Sequence, residues 1–179
     1  MPPYAGPMGL RGDEGVLITG IYGPGKSTVA AETAYLLEQR RQPYARLDLD
    51  YLGWGVGYPD DEAAGFGLML RNLAAVIVNY REAGISVLVM AYFVSSRDEL
   101  HGIREAAGVP LRVVRLSLPL PDIEQRLATD VTTERQEELR EAARRIAAGE
   151  GVGIGDVALA NDRPAGTVAQ QVMTWLGWV

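Results

Sequence analysis

One stretch, Val16 to Ala30 (VLITGIYGPGKSTVA), constrains this chain more than any other. It opens on an apolar, β-branched run, Val16 to Thr19, which predicts a strand. The chain then turns through Gly20, Gly23 and Gly25 and continues from Lys26 with helical periodicity. From Gly20 to Ser27 the spacing is G-x-x-x-x-G-K-S, in the strand, glycine turn and helix context that the phosphate-binding loop requires. A loop wrapped around a triphosphate must aim several backbone N–H groups inward, and glycine tolerates the dihedrals this demands. The helix that follows turns its positive dipole end toward the anion. Lys26 would reach the terminal phosphates, Ser27 would offer a hydroxyl to Mg²⁺, and Thr28 would pack or cap beside it. Pro24 has no N–H, so its position supplies only a carbonyl and a fixed φ.

The surrounding chain limits what such a loop can serve. At 179 residues it can hold one domain with a proper core. Its net charge of −6 disfavours a broad nucleic-acid-binding face, so phosphate affinity must come from local groups. With no Cys and a single His, His101, thiolate sites and a zinc cluster are excluded. No apolar run approaches the roughly 20 residues of a membrane span, and the start, MPPYAGPMGLRGDEG, has no signal-peptide core. Residues 1–14 read as a loose tail and 15–179 as a single domain, with a cytoplasmic location and no membrane partner expected.

Beyond the loop, Ser27 to Arg41 predicts a helix, ended by Pro43. Tyr44 to Leu49 predicts a second strand closing in LDLDYL. Asp48 and Asp50 would share a face if that strand continues. Ligands sit at the carboxyl ends of parallel strands. One of the two carboxylates is therefore a candidate general base on an acceptor hydroxyl or an outer partner of Mg²⁺, the alternative being a strand-end pair that caps loop N–H groups. The glycine-rich loop from Gly53 carries Trp54 and Tyr58, which would either stack on an acceptor or fold onto the surface. A long helix follows, roughly 62–83, with Phe66, Met69, Leu70, Leu73, Val76, Ile77 and Tyr80 on its apolar face. Ile85 to Phe93 predicts a buried central strand. It ends Met90-Ala91-Tyr92-Phe93 with no acid, which argues against a motor-type ATPase and moves the carboxylate role to Asp48 and Asp50.

Ser95 is expected to cap a helix over 97–107, with His101 on its polar side, and Leu111 to Leu118 is a fourth strand. The region 122–148 is helical and rich in Arg and Glu. Read functionally it is a lid whose arginines fold over a transferring phosphoryl group, with Arg126 and Arg135 the candidates because the pattern breaks there (TDVTTER). Read otherwise it is a solvated helix of i, i+4 ion pairs among Glu137, Arg140, Glu141 and Arg144. GEGVGIGD, from Gly149, predicts a flexible hinge, Val157 to Ala160 a short fifth strand, and the last helix runs to about Leu176, with Pro164 suited to its first turn. Trp175 and Trp178 would pack internally or in a homodimer contact.

This alternation of strands and helices predicts a three-layer, doubly wound α/β domain: a five-stranded parallel sheet with helices on both faces. The phosphate loop, the Asp48–Asp50 pair and the turn Asn161-Asp162-Arg163-Pro164 together resemble the P-loop kinases of small metabolites. Among these, the adenylylsulfate kinase branch is the most similar. That branch has an Asp-x-Asp after its second strand, as here, and its third strand runs without an acid into Ile-Ser-Pro, here Val94-Ser95-Ser96. Its acceptor-binding Arg is absent from the corresponding region, where Gly53 and Trp54 stand. The resemblance implies that the turn after the fifth strand borders the nucleotide base, with Asn161 and Arg163 near adenine.

The expected activity is transfer of the γ-phosphoryl group of Mg·ATP to a hydroxyl of a small metabolite or natural product. The partners are then a nucleoside triphosphate and a small-molecule acceptor. A nucleotide-binding regulatory module with little or no transfer is the alternative, and a polynucleotide kinase is disfavoured by the net acidity.

Overall fold

The computed structural model describes residues 12–21, 25–54, 62–127 and 133–178, with the backbone alone at 62, 120, 126–127 and 133–139. Five strands, β1 (Glu14–Thr19), β2 (Tyr44–Asp48), β3 (Val87–Ala91), β4 (Leu111–Ser117) and β5 (Val157–Ala160), form one sheet in the order β2-β3-β1-β4-β5. Every neighbouring pair is parallel. The helices are α1 (Lys26–Gln39), α2 (Asp50–Gly53), α3 (Glu62–Glu82), α4 (Arg97–Ala107), α5 (Leu120–Leu127), α6 (Thr133–Ala148) and α7 (Ala165–Leu176). The doubly wound sheet expected from the sequence is the one observed.

Strand alternation builds two cores. In β1, Leu17 packs on one face with Leu88, Met90 and Val113, while Val16 and Ile18 pack on the other with Val89, Val114 and Leu116. Each side chain buried in this way contributes about 1.5–3 kcal/mol relative to an exposed one. Helices α3 and α4 cover the first face through Met69, Leu73, Ile77, Leu100 and Ile103. Helices α1 and α7 cover the second through Val29, Leu37, Val168 and Val172. Because α3 is so apolar, Ala63–Glu82 is long and apolar enough by composition to cross a membrane, contrary to the reading that no stretch approaches a span. In the fold it is the helix that closes the first core.

Several local expectations change. β1 begins at Glu14, inside the stretch read as tail, and Asp13 pairs with Arg81 at 3.1 Å. β2 stops at Asp48; Leu49 is already in the helical region (φ −72°, ψ −19°) and Asp50 opens α2, so the two aspartates do not share a strand face. Ser96 rather than Ser95 caps α4: its Oγ accepts from the Glu99 N–H, while the Glu99 carboxylate accepts from the Ser95 N–H. The backbone divides the predicted lid into α5 and α6. Pro164 is the N-cap of α7, one residue before the first turn.

The glycine segment after α6 is anchored, not a free hinge: Gly151 N–H donates to the Ser95 carbonyl and Asp156 N–H to the Val113 carbonyl. Trp178 is spent inside the domain, where its Nε1 donates to Glu14 at 3.0 Å.

Candidate active site

β1 is the central strand, and its carboxyl end opens where the chain order of its neighbours diverges, β3 on one side and β4 on the other. Such a switch point is where doubly wound sheets hold ligands. Gly20 makes the first turn out of β1 at φ +147°, and a Cβ there would lie 2.6 Å from the Leu116 carbonyl oxygen. Only glycine lets the loop pass so close to β4. Gly25 closes the loop at φ +78° as the N-cap of α1, its carbonyl accepting from the Val29 N–H. Gly23 and Pro24 lie outside the described residues.

Lys26, first residue of α1, is buried at 9% exposure, and its charge acts on Asp50. Ser27 and Thr28 are exposed at the helix start. The Ser27 hydroxyl donates to Asp48 Oδ2 at 2.7 Å, joining the phosphate loop to the end of β2. Asp48 Oδ1 receives a long contact, 3.4 Å, from the Asp50 N–H. Thus Asp48 meets the start of α1 directly, while Asp50 lies beside Asp48 on the next element and in a different environment. Asp50 has its carboxyl pushed up from the ordinary range. Desolvation by the surrounding protein is the main cause and the Asp48 carboxylate the second, against the pull of Lys26.

The remaining expectations divide. Asn161, just past β5, is buried with its N–H on the Ser117 carbonyl, at the sheet's carboxyl edge. Arg163 is exposed beside Asp162 at 3.8 Å. Arg126 lies on α5 and Arg135 on α6, their side chains outside the described residues. Trp54 is exposed, and Tyr58 lies outside the described residues. The bland reading holds for Arg144, which bridges Glu141 and Glu150 at 2.8 and 3.0 Å. His101 is exposed on α4 beside Glu105.

Three contributors escaped sequence reasoning. Thr19 looked like one more β-branched strand residue, yet its buried Oγ1 accepts from the Val94 N–H at 3.0 Å and ties the loop's root to the end of β3. Arg145 looked like any lid arginine, but its guanidinium lies 4.4 Å from the centre of the Phe93 ring and pairs with Glu141 and Glu150. That anchors α6 to the same end of the sheet. The third is Tyr51, whose ring centroid lies 5.8 Å from that of Trp54. The order of residues in α2 was the available signal, masked by reading the segment as strand.

Among the described residues no cluster of three His, Asp or Glu side chains could hold a metal ion. Ser27 and Asp48 do offer two hard oxygen donors side by side, the set Mg²⁺ uses when phosphate oxygens and water complete its shell.

No family model and no curated protein matches the sequence. Solved structures do. The chain is similar to an APS kinase of Mycobacterium tuberculosis in complex with AMPPNP and APS, at 23% identity and TM-score 0.67 over 92% of this chain and 98% of that one. A gluconokinase from Sinorhizobium meliloti 1021 matches at 18% identity and TM-score 0.65 over 94% of each chain. A shikimate kinase from Bacteroides thetaiotaomicron matches at 15% identity and TM-score 0.65, covering 91% of this chain and 98% of that one. By strand order, phosphate loop and these likenesses, the chain has the fold of the P-loop small-molecule kinases.

Proposed function

We propose that the protein is an ATP-dependent kinase that moves the γ-phosphoryl group of Mg·ATP to a hydroxyl of a small molecule. The observation that carries this reading is the 2.7 Å hydrogen bond between Ser27 and Asp48, with Asp50 beside it and the charge of the buried Lys26 acting on Asp50. A phosphate-binding lysine, a pair of Mg²⁺-type oxygen donors and a second carboxylate are the parts that phosphoryl transfer needs. The structural likeness to a gluconokinase, an APS kinase and a shikimate kinase supports it.

The two aspartates take separate roles. Asp48, already bonded to the Ser27 hydroxyl, belongs with the loop and would hold Mg²⁺, directly or through water. When bound, Mg²⁺ neutralises charge on the phosphate oxygens. Asp50 stands two residues further along, at the start of α2, and is the group assigned to the acceptor. Its carboxyl, raised by desolvation and by Asp48, is a stronger base than an ordinary aspartate once ionised. In the reaction the acceptor oxygen bonds to the γ-phosphorus, the bond to the bridging oxygen of ADP breaks, and the hydroxyl proton passes to Asp50. Lys26 and the loop amides stabilise charge on the phosphoryl oxygens. Arg126 and Arg135 remain the proposed lid arginines, and Asn161, with Arg163 behind it, the proposed border of the nucleotide base.

The test is ADP release from Mg·ATP, alone and with pooled nucleosides, sugars, amino acids and hydroxylated antibiotics. Release stimulated by a pool, and lost in a folded Lys26→Ala variant, is the expected result. Nucleotide binding without stimulation by any pool, or wild-type turnover in Lys26→Ala, would refute it.

A further inference from the structure

Two exposed aromatic side chains of α2 and its cap, Tyr51 and Trp54, have no part in the chemistry above. Within this single turn Leu52 faces inward against the first core, and Gly53 lies close under the Gly65 carbonyl and Met69. Asp50, Tyr51 and Trp54 are left on the outside. Trp54 caps the end of this single turn, four positions along from Asp50, with the Tyr51 ring against it.

The two rings form a joined surface, with centroids 5.8 Å apart and planes inclined by 35°. Tyr51 is 69% and Trp54 75% exposed. Scattered exposed aromatics are common, but two in contact beside a site carboxylate form a contiguous apolar surface of the kind that marks a binding site. Flat aromatic faces suit ligands that carry rings of their own.

The charges nearby narrow the ligand further. Asp48 and Lys26 are the charged groups that bear on Asp50. In the kinase reading the triphosphate engages Lys26. Arg145, at the same end of the sheet, is already matched by Glu141 and Glu150. An anionic acceptor at Asp50 would meet two aspartates and a triphosphate, and like charges in such a crevice repel.

We propose that the acceptor is a neutral, ring-bearing alcohol of nucleoside or glycoside type, one ring face resting on Trp54 and Tyr51 and one hydroxyl at Asp50. This inference rests on the phosphotransfer reading and gives its acceptor site a substrate class.

Two measurements on the full-length protein test it. The first is ADP release from Mg·ATP with uridine, adenosine or p-nitrophenyl glucoside, against shikimate or gluconate. The second is tryptophan fluorescence with the same compounds, using Trp54→Phe to separate the Trp54 signal from those of Trp175 and Trp178. The neutral compounds are expected to stimulate release and quench Trp54. Trp54→Ala should raise KM for the acceptor tenfold or more, with kcat within about twofold and an unchanged KM for ATP, and Trp54→Phe should restore most of the loss.

Stimulation by the anionic compounds alone, or a KM indifferent to Trp54→Ala, would overturn the substrate class and leave the kinase reading standing. Quenching by a neutral ring compound without ADP release would do the opposite, retaining the ring site and removing the kinase reading. Neither quenching nor release with any neutral compound overturns the inference.

Discussion

Replacing Gly20 with alanine probes the contact that sets the phosphate loop against β4. Two penalties add. At φ +147° an L-residue is strained, which costs about 1–3 kcal/mol. The new Cβ would also sit 2.6 Å from the Leu116 carbonyl oxygen, and relieving that overlap in a packed sheet costs about 1–3 kcal/mol more. The sum is roughly 2–6 kcal/mol, and at about 2–4 °C per kcal/mol for a chain of this size Tm should fall by about 5–20 °C. Gly84→Ala is the matched control, because Gly84 has φ +80° but no atom within 4 Å of the added Cβ. Only the backbone penalty of about 1–2 kcal/mol applies there, so Tm should fall by a few degrees. Thermal unfolding followed by circular dichroism, at one pH and without nucleotide, compares the two. Equal losses would mean that the Leu116 carbonyl does not hold the loop, and the account of Gly20 would fail. A larger loss in Gly20→Ala should be accompanied by weaker ATP binding, since the strand end or the loop has to shift.

Other outcomes follow from the electrostatics. Because the Asp50 carboxyl is raised by desolvation and by Asp48, the acid limb of kcat/KM should lie above the ordinary aspartate value. Activity should fall as pH drops through that limb, and Asp50→Asn should abolish transfer while removing a stability cost that grows as pH rises through the Asp50 titration. A limb that stays in place in Asp50→Gln, with activity retained, would show that another group takes the proton. Glu141 behaves in the opposite sense: hydrogen bonds from Arg144, then Arg145, hold its carboxyl down to about 2. Its contribution is complete above the unfolded carboxylate value and is lost as pH falls toward 2, so amide protection factors, corrected for the intrinsic pH dependence of exchange, should be unchanged along the C-terminal half of α6 between pH 7 and 5; a fall in protection within that interval would contradict the ion-pair geometry.

Local pattern was enough for much of this molecule. The phosphate loop could be read because its chemistry fixes residue types at short spacing, and the five strands because β-branched runs bounded by Gly and Pro have few other uses. Even the doubly wound order follows from alternating elements and the rule for parallel crossovers. Features made by distant residues were not legible. Ser27 and Asp48 are 21 positions apart, and nothing near either one says that the hydroxyl and carboxylate will meet; β1, β3 and β2 must pair in register first. The end of β2 was misread for the same reason. A period of two fits LDLD, but the inward pull on Leu49, fully buried between α3 and the sheet, turns the chain into α2 and separates the two aspartates. Sequence alone pointed to a phosphate-binding loop at the end of a central strand, because that pattern is complete within eight consecutive residues. Tertiary structure alone decided which carboxylate bonds the Ser27 hydroxyl and which opens the short helix beyond it, because burial and charge are properties of the assembled crevice and not of any segment of it.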